Sequence, residues 1–523
     1  MTPLLTLSDA IAAQARLQPE KTGARDSRRA LSYRAWNERA SRLANVLLGA
    51  GLAPGDRVAV LAYNCLEWME IYVALARAGL VAVPINFRLL GPEISYIVNH
   101  CEAKAFIAQD ELCERVDAIR GELPIMAHGW IAFRPGAEAC HVPGWQPYET
   151  LLAAASTQDP GIAVKADDHW ALMYTSGTTG RPKGAIRSHA GSALIGLVAA
   201  LDIGLGRDYT ALLVMPLCHA NSLYFAFTFG YLGATSVIDD SRHFDPESLL
   251  ALLARERVTF TSLVPTHYIM MLGLPDEVKA RHDVSAVGKL LVSSAPARRE
   301  TKLAIMQHFE NSQLFELYGS TEAGWVTWLR PEEQLTKLGS VGRECTATGA
   351  IKILDPEGNE VPDGEVGELY SRTPFVFDGY WKDPEKTAAA FRGEWCSVGD
   401  MAYRDSDGYY HLVDRKSNMI ISGGENVYPS EVESMLAGHP AVKDVAVIGI
   451  PHEKWGEAVH AIVVLHDGAV VSEKEMLDWC RDKIAGYKRP GSIAFIAESE
   501  MPRTATGKIL HRVLRERAGS SLY

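Results

Sequence analysis

The chain has 523 residues, of which 47% are hydrophobic and 22% charged, so a disordered or fibrous polymer is excluded and a sizeable core is expected. Its 52 Lys and Arg against 64 Asp and Glu leave a net charge of −12, which argues against the broad basic surface of a nucleic-acid binder. At about 150 residues per domain, roughly three to four domains or subdomains are expected.

The first residues, MTPLLTLSDAIAAQARLQPEK, carry no early cationic cluster or cleavage site and do not read as a signal peptide. Trp36, Ala40, Leu43, Val46 and Leu47 share one helical face, with Ser32 as N-cap and Gly51 as stop. Arg57–Ala62 reads as a buried strand, Glu67–Ala78 as a helix ended by Gly79, and Val81–Ile85 as the next strand. Similar units recur at Tyr209–Pro216, Ser236–Asp239, Phe260–Pro265 and Leu290–Ser293, giving an α/β class with substantial parallel pairing. Leu194–Leu205 is apolar but interrupted by Asp202, and falls short of the roughly 18 residues of a membrane span. From about Ala350 to Val413 turn signals separate short alternating runs, which predicts a β subdomain.

The remaining stretch changes character again. Helices are expected at Pro429–Gly438, Val471–Ala485 and Lys508–Arg517, and strands at Val442–Ile450, Ala458–Leu465 and Ile493–Ile496. The polar run Asp414-Arg-Lys-Ser-Asn418 suits a hinge, so the expected domains are 1–416 and 417–523. Eight cysteines are scattered without a CxxC pair, which argues against zinc or a disulfide framework and fits a reducing, cytoplasmic location. Cys218 and His219 are adjacent, and on a strand they would face opposite ways, so they are not expected to form a catalytic dyad.

The chemistry concentrates in Tyr174-Thr-Ser-Gly-Thr-Thr-Gly-Arg-Pro-Lys-Gly184. Glycines let backbone N–H groups approach an anion, and the hydroxyls and Lys183 add donors. The segment is not a Walker loop, since GxxxxGK[ST] is absent and strands are expected on both flanks, Trp170–Tyr174 and Ala185–Arg187. A flexible Ser/Gly/Thr surface loop is the bland alternative, and Lys183 placed two residues before an apolar run disfavours it.

This segment resembles the signature of the adenylate-forming superfamily, in its acyl- and aryl-CoA synthetase branch. Four further segments match in order: Tyr318-Gly-Ser-Thr-Glu-Ala-Gly324, Trp395-Cys-Ser-Val-Gly-Asp400, Asp414-Arg415 through Gly423-Gly-Glu-Asn426, and Pro502-Arg-Thr-Ala-Thr-Gly-Lys-Ile509. The resemblance implies a large N-terminal domain of two α/β subdomains plus a β subdomain, followed by a small mobile α+β C-terminal domain. It implies a carboxylate attacking the α-phosphate of ATP with Mg²⁺, then thiolysis of the acyl-adenylate by coenzyme A. Acyl transfer to a carrier protein, a nucleotide-binding module without turnover and a kinase-like phosphotransferase are the alternatives, the last lacking its signatures.

The resemblance also assigns residues. Thr175, Ser176, Gly177, Thr178, Thr179, Gly180 and Lys183 are expected to hold phosphates, and Glu322 with Thr178 to ligate Mg²⁺. Tyr318 and Gly319 with Ser294-Ala295 border adenine, Thr321 joins the nucleotide site, and Asp400 and Arg415 reach the ribose. Lys508 offsets the repulsion between carboxylate and α-phosphate. His219, Gly319 and Ala323, with Leu263-Val-Pro-Thr-His267, are expected to line an apolar acyl pocket, whereas Phe225 and Trp325 are more readily core. No aspartate lies between 215 and 230, which disfavours an amino-acid substrate and favours an aromatic or medium-chain aliphatic acid. Ser417 stands where relatives carry Asp or Lys at the hinge, so the pivot itself departs from the pattern. Gly423-Gly424 and Trp455-Gly456 are soft suggestions for the CoA site, and self-association is compatible with such folds.

Overall fold

The computed structural model describes residues 6–175, 182–294, 297–422, 425–452, 455–481, 483–504 and 507–520. Contacts divide the chain into two compact units: 1–351 with 371–396, and 352–370 with 397–523. The 416/417 boundary expected from the hinge run therefore lies inside the second unit, because the strands of the predicted β subdomain group with the C-terminal residues.

The first unit holds two large sheets. In the eight-stranded sheet, Val81–Ile85, Arg57–Leu61, Ala105–Gln109 and Trp130–Phe133 run parallel. Val81–Ile85 and Ala105–Gln109 are buried at every position, which is why the former reads as a continuous apolar run rather than an alternating one. His169–Thr175 joins in parallel, and Lys183–Ser188 then returns antiparallel to it, with Gly379–Tyr380 at the edge. The nine-stranded sheet carries Thr210–Leu213, Phe260–Leu263, Lys289–Ser293 and Gln313–Ser320 in parallel, with Gly324–Leu329 turned back on the last.

Helices cover these sheets for legible reasons. Ser32 accepts from the Ala35 N–H and starts helix Tyr33–Gly49, as the sequence predicts. Glu67–Arg77 is buried along its whole length, and its two carboxylates are balanced by Arg29 and Arg39, with Arg29 Nη2 at 2.8 Å from Glu67 and 2.7 Å from Glu70. Helix His189–Ile203 holds the apolar stretch from Leu194 as far as Ile203, where Gly204 ends it, and no described helix is long and apolar enough to cross a membrane.

The second unit contains an antiparallel four-stranded sheet, Lys352–Leu354, Gly367–Tyr370, Asp400–Arg404 and Tyr410–Arg415. A five-stranded sheet is built on the long pair Val442–His452 and Gly456–Leu465, flanked by helices Pro429–Leu436, Glu473–Trp479 and His511–Ser520. Two expected helices are corrected. The one drawn over Val471–Ala485 stops at Trp479, where the indole N–H turns to the Met435 carbonyl. The one drawn over Lys508–Arg517 begins only at His511, because Thr504 and Lys508 close a turn through their backbone groups, with Gly507 at φ +83°.

Candidate active site

The first unit brings the two ends of the Gly/Thr segment together. Thr175 and Lys183 are directly opposite in an antiparallel ladder, as are Tyr174 and Gly184. Ser176, Gly177, Thr178, Thr179 and Gly180 lie outside the described residues, as does Ala295. Strands flank the segment on both sides, His169–Thr175 before it and Lys183–Ser188 after it, as expected.

Glu322 meets these ends. Thr175 Oγ1 donates to its Oε1 at 3.3 Å and the Tyr380 hydroxyl donates to the same oxygen at 2.9 Å. The Lys183 ammonium sits 4.5 Å from the centre of the Tyr380 ring. Glu322 is 8% exposed and lies in the connection between Gln313–Ser320 and Gly324–Leu329. Its backbone is fixed by the buried Arg187, whose Nη1 donates to the Thr321 and Glu322 carbonyls at 3.3 Å each and whose Nη2 donates to Phe375 O at 2.6 Å. Gly324 has φ +73°, and a Cβ there would press the Phe375 ring at 2.6 Å. A carboxylate flanked by hydroxyl oxygens suits a hard divalent cation that completes its shell with water and phosphate. Among the described residues no cluster of three His, Cys, Asp or Glu is placed to bind a metal.

Ser294 directly follows the strand Lys289–Ser293, and Tyr318 lies beside that end on the neighbouring parallel strand, since Leu317 pairs with Ser293. Carboxyl ends of such strands are where open α/β sheets take ligands. The ladder slips between Tyr318 and Gly319, and a Cβ on Gly319 would run into the Gly324 carbonyl and reach 3.1 Å from Trp325 Cα. Ser294 adopts φ +70°, a left-handed conformation unusual for serine.

His219 caps helix Ala220–Leu232, with Nε2 at 3.3 Å from Asn86 Nδ2. Burial, with the Arg88 guanidinium adding to it, lowers its pKa to about 4, so the imidazole is neutral at pH 7. Asn221 Nδ2 donates to the hydroxyls of Ser262 and Ser293 at 2.9 Å each, and His267 stacks on Phe244 at 4.0 Å. Ala323 is buried nearby in sequence to Glu322, while Phe225 and Trp325 pack on each other in the core with ring centres 5.0 Å apart. Cys218 lies in a turn, not on a strand, and burial pushes its thiol up to about 12. That inertness, rather than alternation along a strand, removes the Cys/His dyad.

The second unit gathers Asp400, Arg415 and Lys508. Asp400 and Arg415 are ladder partners, with Arg415 Nε 3.2 Å from Asp400 Oδ1. Lys508 presents an accessible side chain from its turn. Crowding protein atoms and then the Arg415 guanidinium lower its ammonium below the ordinary lysine range, while Asp400 pulls it back up. The Ser417 carbonyl accepts from Arg515 Nη1 at 2.9 Å, and Lys416 pairs with Glu368 at 2.9 Å. Gly423 and Gly424 lie outside the described residues, and Trp455 is exposed beside Gly456.

Sequence reasoning missed Arg187 and Tyr380. Arg187 reads as one more strand residue, and Tyr380 stands 58 positions from the carboxylate it touches.

Comparison with known proteins agrees with this architecture. The "AMP-binding enzyme" profile matches residues 11–381, and the "AMP-binding enzyme C-terminal domain" profile matches 431–508. A feruloyl-CoA synthase of Amycolatopsis sp is 38% identical over 507 residues, 97% of this chain and 98% of that protein. The long-chain-fatty-acid–CoA ligase FadD13 of Mycobacterium tuberculosis is 35% identical over 497 residues, 94% of each chain. The crystal structure of the anthranilate CoA ligase AuaEII in complex with anthranoyl-AMP superposes with a TM-score of 0.88 at 28% identity, covering 100% of this chain and 99% of that one. The chain belongs to the AMP-binding enzyme family. Within it, this is an adenylate-forming acid–thiol ligase of the acyl- and aryl-CoA synthetase branch.

Proposed function

We propose that this enzyme joins an aromatic or medium-chain aliphatic carboxylic acid to coenzyme A through an acyl-adenylate. The observation that carries the reading is the meeting of Thr175, Lys183, Tyr380 and the buried Glu322 at the mouth of the Gly/Thr loop. The names of relatives support an aromatic or aliphatic acid, since they include a feruloyl-CoA synthase and a long-chain-fatty-acid–CoA ligase.

In the first half-reaction the acid's carboxylate oxygen attacks the α-phosphorus of ATP, and the bond to the bridging oxygen of pyrophosphate breaks. Lys183 and the loop hold the departing phosphates, and Lys508 offsets the charge where the two anions meet. Asp400 accepts from ribose hydroxyls with Arg415 beside it, while Tyr318, Gly319, Thr321 and Ser294 border the base. Glu322, with Thr178, would hold Mg²⁺, which supplies Lewis-acid neutralisation of the phosphate oxygens when bound. In the second half-reaction the CoA sulfur attacks the acyl carbon and AMP leaves. His219, neutral at pH 7, borders the acyl group with Gly319 and Ala323 and adds no charge to repel or attract a second ionised group. Residues 417–523 form the mobile lobe in this reading, pivoting near Ser417.

A panel of benzoates, cinnamates and C3–C12 acids, assayed for AMP release with CoA, tests the proposal. An aromatic or medium-chain acid should give AMP and pyrophosphate with thioester in equal amounts. ADP release, or turnover confined to amino acids, would reject it.

A further inference from the structure

The face of helix Gly91–Cys101 is not part of any assigned motif, yet it touches both ends of the phosphate loop. Glu93 caps this helix through the Leu90 N–H at 2.9 Å, and Tyr96 and His100, four residues apart, lie on one face with ring centres 5.4 Å apart. His100 Nδ1 is 2.7 Å from the Tyr174 hydroxyl, the residue that enters the loop. The Tyr96 hydroxyl donates to the Pro182 carbonyl at 3.2 Å, the residue that leaves it. The Trp381 indole donates to the His100 carbonyl at 3.2 Å, and the Trp381 N–H donates to Gly184 O at 2.8 Å. Lys183 therefore sits between two residues whose backbone oxygens are both held.

The alternation of a strand explains why this matters. Tyr174 and Gly184 face one side of the ladder, and Thr175 and Lys183 the other. The Tyr174 ring fills the space that a side chain at Gly184 would need, since a Cβ there would come 3.1 Å from the ring. A rotation of Tyr174 about its strand would swing Thr175 away from Glu322, and a slip of Pro182 would move Lys183 off the Tyr380 ring. With its proton on Nε2, His100 accepts from the Tyr174 hydroxyl and blocks that rotation.

We infer that Tyr96 and His100 are positioning residues for the nucleotide, clamping the entry and exit of the loop so that Thr175 and Lys183 face the triphosphate in a fixed geometry. The inference rests on the adenylation reading above. Its effect should fall on ATP and not on the acid or the acyl-adenylate, which has already shed pyrophosphate.

The test uses the full chain and the variants His100→Phe, Tyr96→Phe and His100→Asn, the last placing an acceptor near the position of Nδ1. Calorimetry reads ATP binding in the presence of magnesium, and acid-dependent ATP–pyrophosphate exchange reads adenylation. Each phenylalanine variant should weaken ATP binding and raise the KM for ATP about fivefold, the size of one neutral hydrogen bond. The KM for the acid, and thioester formation from supplied acyl-adenylate, should stay within twofold, and His100→Asn should recover most of the loss. The clamp is rejected by unchanged ATP binding in both phenylalanine variants, by equal loss in both half-reactions, or by His100→Asn as impaired as His100→Phe. If the wild-type chain binds ATP but shows no acid-dependent exchange, the adenylation reading falls, while the binding constants of the variants still decide the clamp.

Discussion

Removing the Tyr380 hydroxyl tests a contact at the centre of the site. The phenol donates to Glu322 Oε1 at 2.9 Å, and the ring beneath it carries the Lys183 ammonium at 4.5 Å. Tyr380→Phe keeps the ring and loses only the donor. A hydrogen bond to a charged group contributes about 1.5–3 kcal/mol, and the carboxylate here is buried, so water replaces the lost donor poorly. If the carboxylate must stand in this place during adenylation, the loss corresponds to roughly 10- to 150-fold in rate, at about 1.4 kcal/mol per tenfold. Thr175 still donates from 3.3 Å, a longer contact, which places the expected loss toward the smaller end. Pyrophosphate exchange at varied magnesium should show a lower maximal rate and a higher half-saturating magnesium concentration. Tyr380→Leu, which also removes the ring under Lys183, should add a rise in the KM for ATP. An unchanged magnesium titration in Tyr380→Phe would refute the link between this hydroxyl, Glu322 and the metal.

Gly319→Ala should cost about 1–3 kcal/mol by overpacking, because its Cβ meets backbone atoms of Gly324 and Trp325 that cannot rotate away. Thermal melting and the KM values for acid and ATP check this, and a variant with wild-type values for all three would contradict the close strand approach. His189, 3% exposed at the start of helix His189–Ile203, has its pKa lowered to about 4 by burial, with Asp168 and Asp9 opposing. The unfolded chain takes up its proton below pH 6.5 while the folded one does not, so stability falls as pH drops from 6.5 toward 4. Urea unfolding should show that His189→Phe loses less stability than wild type between pH 7.5 and 5, by about 2 kcal/mol, and equal losses would reject the assignment.

The parts of the site that a sequence can show are those where chemistry is local. The loop ends, Glu322 and the Asp400–Arg415 pair stand within short runs of hydroxyls, glycines and charges, and the loop ends and the Asp400–Arg415 pair are held by strand pairing between near neighbours. The strands Val81–Ile85 and Leu290–Ser293 were equally legible, since burial on both faces leaves short, mainly apolar runs. Arg187, Tyr380 and His100 carry no such mark, because their partners lie 58 to 188 positions away and only the fold brings them together. The hydrogen-bonded group of Asn221, Ser262 and Ser293 was hidden for the same reason: its members come from three separate elements. Periodicity overran the true ends of the two C-terminal helices because it registers which faces are apolar, not where a turn closes. Gly507 and the reciprocal bonds of Thr504 and Lys508, one between backbone groups and one from the Lys508 N–H to the Thr504 hydroxyl, end the pattern without any change in which faces are apolar.

That turn also places Lys508 between two neighbours of opposite charge, and these give a signed test of its role. Arg415 lowers the Lys508 pKa and Asp400 raises it. If adenylation needs the ammonium, activity is lost as pH rises through that pKa, and each neighbour sets where the alkaline limb falls. Asp400→Asn removes the group that favours the charged lysine, so the limb should move to lower pH. Arg415→Met removes the group that opposes it, so the limb should move to higher pH. If Asp400 and Arg415 hold the ribose as proposed, both variants also lower the overall rate, but a uniform loss of rate scales the profile without moving its limb. Lys508→Ala should abolish adenylation across the whole range while still converting supplied acyl-adenylate to thioester. Limbs that move the same way in Asp400→Asn and Arg415→Met, or that stay fixed in both, would show that the titrating group is not Lys508.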